Sequence, residues 1–213
     1  MRLYLSSFRN GNRPEKLLQL LGNGRRTALI HNAQDFLSAD ERAAKLAEEI
    51  ERLKSIGLDP VEIDLRDYFD RPNQLKDTLS DFDLIWVRGG NAFILRRSLK
   101  QSGADKIITD LLKSNTVAYG GYSAGIDMLT PTLHGAELVD DPRLIPEGYQ
   151  DEIVWDCLDL IKYSIAPHYK SDHPESADID KSIEYLIDHH ILFIALRDGE
   201  VIVTNDNHEE IVS

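Results

Sequence analysis

Short apolar runs recur along the chain, and stretches with apolar residues three or four apart lie between them. Leu3-Tyr4-Leu5, Thr27-Ala28-Leu29-Ile30-His31, Val61-Glu62-Ile63-Asp64-Leu65, Leu84-Ile85-Trp86-Val87 and the run ending in Gly120-Gly121 read as strands. A helix is predicted from about Pro14 to Leu21, where proline suits the first turn because that N–H has no helical partner. Ser38-Ala39-Asp40-Glu41 resembles a capping box and opens an amphipathic helix to about Ile56, with Leu46, Ile50 and Leu53 on one stripe. A third helix runs from about Ala92 to Lys113, with a break near Gly103.

Beyond the middle of the chain the pattern loosens. Thr130 to Ile161 is irregular and acidic. Tyr163 to His168 reads as a strand and Pro174 to His189 as a helix. Ile191 to Leu196 and Val201 to Val203 read as a hairpin turning at Asp198-Gly199. Strands alternating with helices predict parallel βαβ units, an α/β fold with helices on both faces of the sheet. With no repeat or linker, residues 1–213 read as a single domain. Ligands in such folds gather at the carboxyl ends of the strands, where Gly89-Gly90 and Ser123 both fall.

One of those ends carries chemistry. Gly121-Tyr122-Ser123-Ala124-Gly125 matches G-x-S-x-G, the pattern of a nucleophile elbow. A sharp strand-to-helix turn there would expose the Ser123 hydroxyl and aim the Ala124 N–H at a developing oxyanion. The competing reading is an ordinary turn whose serine caps the helix. An activated serine needs a base, and His168 follows a strand at the same edge. His31 also ends a strand and is a candidate for the pocket rim. For the acid, Asp198 lies just past a strand, and Glu137, Asp140, Asp141 and Glu175 are alternatives. His168 and His173 are not at zinc-helix spacing, and Gly89-Gly90-Asn91 lacks the rest of a dinucleotide loop, so neither a metal nor a cofactor is expected.

Composition narrows the partners. A net charge of −13 argues against nucleic acid and anionic membranes, which demand basic surfaces. Cys157 is the one cysteine, so no internal disulfide is possible; it lacks a glycine elbow and reads as packing or rim. No secretory signal and no spanning apolar run is apparent, which points to the cytoplasm.

Three motifs in order, Val87-Arg88-Gly89-Gly90-Asn91-Ala92-Phe93, Gly120 to Gly125, and Ala166-Pro167-His168-Tyr169, resemble the peptidase E family of serine peptidases, kin to class I glutamine amidotransferases. The resemblance covers nearly the whole chain. It implies a three-layer, flavodoxin-like α/β/α sandwich with a mostly parallel sheet. It also implies a Ser123–His168–Asp198 triad, an oxyanion hole from the Gly90 and Ala124 N–H groups, and an acyl-enzyme formed on short peptides. Family members place a glutamate where this chain has Asp198. Those that cleave after aspartate carry an arginine in the segment following the histidine, but Lys170 to Asp178 is acidic and has none, which argues against aspartyl specificity. Arg88, Asn91, Tyr122 and Glu175 are candidate substrate contacts, Arg88 either for a substrate carboxylate or merely in an ion pair. A cyanophycinase-like hydrolase of β-aspartyl-arginine units and a non-catalytic ligand-binding protein are the alternatives. The expected partner is a small peptide, and the expected state a monomer or homodimer.

Overall fold

In the computed structural model, which describes every residue except Asp70 and Asn207, β1 (Arg2–Ser6), β2 (Arg26–Ile30), β3 (Asp59–Glu62), β4 (Leu84–Val87) and β5 (Ala118–Tyr122) are parallel strands. They lie in the order β3-β2-β4-β5-β1, and β8 (Val201–Asn205) and β9 (His208–Val212) extend the β1 edge antiparallel. The central parallel strands are mainly apolar because both faces are covered, whereas the edge strand β3 is partly polar and exposed. Leu3, Leu5, Ala28, Ile30, Ile85, Val87 and Tyr119 point into one core. Tyr4, Leu29, Leu84, Trp86 and Ala118, their alternating neighbours, point into the other.

The second core is closed by α1 (Pro14–Leu21) and α2 (Ala39–Ser55), whose capping box forms as its sequence predicts. The first is closed by α3 (Pro72–Ser80), which the apolar pattern did not bring out, with α4 (Ala92–Ser102) and α5 (Ala104–Lys113). The break between the last two is Gly103, in a left-handed conformation at φ 76°. The third strand lies earlier than its apolar run suggests: Leu65 instead opens a short 3-10 turn capped by the Asp64 carboxylate.

The expected hairpin is not formed. β7 (Phe193–Ala195) pairs in parallel with β6 (Ser164–Ala166) in a separate two-stranded sheet, whereas β8 pairs with β1. Residues 196 to 200 therefore cross between two sheets, and the antiparallel hairpin is β8–β9 instead. α7 (Ser176–Asp188) follows the loop after β6. Two buried arginines of α4 organise the irregular acidic region: Arg96 Nε donates to the Asp156 carbonyl at 2.6 Å, and Arg97 donates to the Pro142 and Glu152 carbonyls at 2.6 and 2.9 Å.

Candidate active site

The strand β5 ends at Tyr122, and the short helix α6 (Ala124–Asp127) begins one residue later. Ser123 makes the turn alone, at φ 51° and ψ −130°. A non-glycine residue in that region costs about 1–3 kcal/mol and persists only where its surroundings impose it. The surroundings are close-set backbone: a Cβ on Gly125 would lie 2.1 Å from the Val87 carbonyl oxygen, and one on Gly89 would lie 2.8 Å from Ser123 Cβ. Those glycines let the β4 loop and the elbow touch. The serine's side chain makes no cap to its helix, unlike Asn91, whose oxygen accepts from the Phe93 and Ile94 N–H groups at 3.0 Å.

His168 lies two residues past β6, with its backbone at φ 59°. Because β6 and β7 run in parallel, the segments leaving them emerge side by side, and the Tyr169 N–H donates to the Leu196 carbonyl. This brings Asp198 to the imidazole, with Nδ1 and Oδ1 2.7 Å apart. A carboxylate only accepts, so the proton resides on Nδ1 and the Nε2 lone pair is available. Nε2 is buried and has no partner among the described residues. Ser7 on β1's exit fixes both groups: its hydroxyl donates to Asp198 Oδ1 at 2.9 Å and accepts from the His168 N–H at 2.8 Å. Asp198's own N–H donates to Ser171 Oγ at 2.8 Å.

The imidazole is 1% exposed. Its ring stacks on His173 at 3.7 Å and meets the edge of Phe8 at 5.6 Å. Burial lowers its pKa, the charge of His173 adds to that, and the Asp198 hydrogen bond opposes both. His168 is therefore neutral at neutral pH, the state a base requires.

Ser123, His168, Gly89 and Gly90 line one cavity of about 510 Å³, together with Arg9, Lys45, Arg52, Arg88, Tyr122 and Glu175 among others. Across it the Gly89–Gly90 peptide is pinned by Gln34, whose Nε2 donates to the Gly89 carbonyl at 2.8 Å. In a trans peptide the next N–H points the opposite way. The Gly90 and Ala124 N–H groups donate to no acceptor among the described residues, as an oxyanion hole requires.

The remaining candidates divide. Arg88 Nε donates to Glu49 Oε2 at 3.2 Å, a fully buried carboxylate that also takes Trp86 Nε1 and the Tyr122 hydroxyl and pairs with Arg52. Arg88 Nη1 is buried with no hydrogen-bond partner among the described residues, so the guanidinium is in an ion pair yet keeps unused donor capacity at the cavity it lines. Glu175 places a carboxylate oxygen 4.0 Å from His168 Nε2. Asn91 is 6% exposed, caps α4 and lines neither this cavity nor the smaller one beside Ser123. His31 is fully buried away from the rim, and burial pushes its pKa down to about 3. Cys157 has its thiol pushed up to about 12 by burial, which leaves it a poor nucleophile. Ser7, Gln34, Ser171 and His173 carried no motif. Ser7, Gln34 and Ser171 act through contacts distant in sequence, and His173 through stacking on His168 five residues earlier.

His168, His173 and Glu175 do place three ligand-type atoms within 4.8 Å of one another. The two imidazoles are parallel to within 7°, however, and a metal must lie in the plane of each ring it binds; His173 Nδ1 already accepts from the Glu175 N–H. The trio does not suit a cation in this arrangement.

A mostly parallel sheet flanked by helices carries at its strand ends a strained serine and a carboxylate-bound histidine that line one cavity. The profile of peptidase family S51 matches residues 6–212, and the chain belongs to that family. It is accordingly a peptidase hydrolase of a serine-type family. It is 32% identical over 157 residues to the uncharacterised peptidase Lin0382 of Listeria innocua serovar 6a, across 70% of this chain and 71% of that one. It is 31% identical over 97 residues to peptidase E of Escherichia coli O1:K1 / APEC, across 46% of this chain and 38% of the relative. In fold it is similar to the crystal structure of a candidate peptidase E protein from Listeria monocytogenes EGD-e, with a TM-score of 0.80 at 22% identity over 99% of this chain and 97% of that one. No helix among the described residues is long and apolar enough to cross a membrane.

Proposed function

We propose that the chain is a serine exopeptidase that hydrolyses dipeptides through Ser123, His168 and Asp198. His168 Nε2 takes the Ser123 proton as Oγ attacks the scissile carbonyl, and the oxyanion is received by the Gly90 and Ala124 N–H groups. The proton then passes to the leaving amine, which departs to leave an acyl-enzyme. Water, deprotonated by the same nitrogen, hydrolyses the ester. Asp198 holds the imidazole in the tautomer that makes this possible and stabilises the imidazolium formed on the way.

The observation that carries the reading is the 2.7 Å Nδ1–Oδ1 contact combined with an Nε2 that has no hydrogen-bond partner among the described residues, on a histidine that lines the same cavity as Ser123. The same cavity supports exopeptidase action on short chains. Arg9, Lys45, Arg52 and Arg88 line it against Glu48 and Glu175, an excess of positive charge suited to the terminal carboxylate of a leaving amino acid. Arg88 Nη1, buried and without a partner among the described residues, is the donor best suited to meet it.

A fluorophosphonate probe tests the nucleophile: it should modify Ser123 in the wild type and fail in His168→Ala. A dipeptide panel with Ser123→Ala as control tests the reaction. Absence of an adduct on Ser123 together with no dipeptide turnover would favour a ligand-binding protein.

A further inference from the structure

Ser123 also borders a second, much smaller cavity, lined by none of those arginines. Its volume is about 40 Å³, and Asp127, Asp140 and Glu175 line it. No lysine or arginine does; its one basic wall group, His134, is stacked on Trp155 at 4.5 Å. Ser164, 5% exposed, also lines it, and its hydroxyl has no hydrogen-bond partner among the described residues. A buried, unpartnered hydroxyl costs free energy unless a ligand satisfies it. The rest of the wall is aliphatic, with Leu133, Val139, Ile179 and Leu186.

We propose that this cavity is a subsite for an ammonium-tipped side chain of ornithine or lysine size on the acyl side of the scissile bond. The inference rests on the peptidase reading above. Aliphatic walls suit a methylene stem, and the carboxyls with the Ser164 hydroxyl suit an ammonium, which offers three donors and accepts nothing. The volume holds about three or four water-sized groups, enough for a short chain and too little for a planar guanidinium on its stem. The electrostatics agree. Burial raises the pKa of Asp127 and Glu175 and pushes Asp140 up to about 7, and Asp127 is raised further by the charges of the other two. Burial disfavours the charged form of all three carboxyls, and an ammonium seated among them would favour it. An aspartate side chain would bring a fourth carboxylate into the same space.

Kinetics with Lys-Ala, Orn-Ala, norleucyl-Ala and Asp-Ala test the subsite, because norleucine matches lysine in length but carries no charge. The better of the lysine and ornithine substrates should exceed norleucyl-Ala in kcat/KM by roughly 100-fold, and Asp-Ala should be the poorest. Asp127→Asn, shown by its melting curve to be folded, should bring the cation-to-norleucine ratio to within a few-fold of one. Independently of turnover, calorimetry on Ser123→Ala should show n-butylamine binding where 1-butanol does not. Norleucyl-Ala or Asp-Ala cleaved as well as the cationic dipeptides, or the amine binding no better than the alcohol, overturns the proposal. If no dipeptide is cleaved but n-butylamine binds and Asp127→Asn abolishes that binding, the subsite stands and the peptidase reading falls.

Discussion

Asp198→Asn isolates the charge of the carboxylate from the geometry it imposes. The substitution preserves shape and leaves an oxygen able to accept from Ser7 Oγ and His168 Nδ1, which now lie 2.9 and 2.7 Å from Oδ1. What it removes is the negative charge facing the imidazolium that forms as Ser123 attacks. With the charge centres about 4 Å apart and an effective dielectric near 20, that attraction is about 4 kcal/mol. At about 1.4 kcal/mol per decade this is a loss of roughly 10³ in kcat. KM should move little, since the carboxylate lines neither cavity. The acid limb of the kcat/KM profile should also move to lower pH, because Asp198 raises the His168 pKa and its loss removes that support. Steady-state kinetics on the best dipeptide from pH 4 to 9, with a melting curve to verify folding, measure all three. More than about a tenth of wild-type kcat with an unmoved acid limb would refute the assignment and direct attention to Glu175, 4.0 Å from the opposite ring nitrogen.

Other consequences follow from the same geometry. Gln34→Leu releases the Gly89 carbonyl and lets the Gly90 N–H turn from its aim, so kcat should fall about 10²-fold, the effect of a lost oxyanion donor; unchanged kcat with a folded variant would show the loop is held by other contacts. Gly125→Ala drives a methyl group into the Val87 carbonyl and should destabilise the fold by about 3 kcal/mol in urea unfolding, at the high end for overpacking. Glu49→Gln leaves Arg52 and Arg88 without their shared counter-charge and should cost about 3–5 kcal/mol by the same measurement. Each histidine that only the unfolded chain can protonate removes about 1.4 kcal/mol of stability per unit as pH falls below about 6.5, while Asp127 and Asp140, whose pKa values are raised in the fold, act in the opposite sense. His31 meets that condition down to about pH 3, and His168 over a narrower range, since both pKa values are lowered in the fold. His31→Gln and His168→Gln should each remove that residue's share of the pH dependence; variants whose urea midpoints change between pH 7 and 5 as the wild type's do would contradict both.

Much of this was legible without coordinates, and the parts that were not share a cause. The parallel strands announced themselves because burial on both faces forces uninterrupted apolar runs, and α2 because Ser38 and Glu41 satisfy each other's backbone locally. The elbow was legible because Gly121 and Gly125 mark the places where β5 and α6 must touch β4. These are signals a few residues long.

Asp198 was a weaker case. An Asp-Gly pair between two apolar runs has the local chemistry of a hairpin turn, and nothing nearby in sequence says that the two strands belong to different sheets. That separation depends on β6 attracting β7 and β1 attracting β8, pairings between segments about 30 and 195 residues apart. Ser7 and Gln34 were invisible for the same reason, since a serine and a glutamine become positioning groups only when folding brings an imidazole or a glycine carbonyl to them. The opposite charges of the two cavities at Ser123 are likewise a tertiary property. Arg88 and Arg52 come from β4's exit and α2, and Asp127, Asp140 and Glu175 from α6, the irregular loop and the approach to α7. The sequence alone determined the layers, most of the parallel strands and the serine at the strand-to-helix turn, because local sterics and periodic burial write those into neighbouring residues. Only the folded chain decided which carboxylate meets the histidine and which charges line each cavity at the serine, because those depend on distances between residues that are remote in sequence.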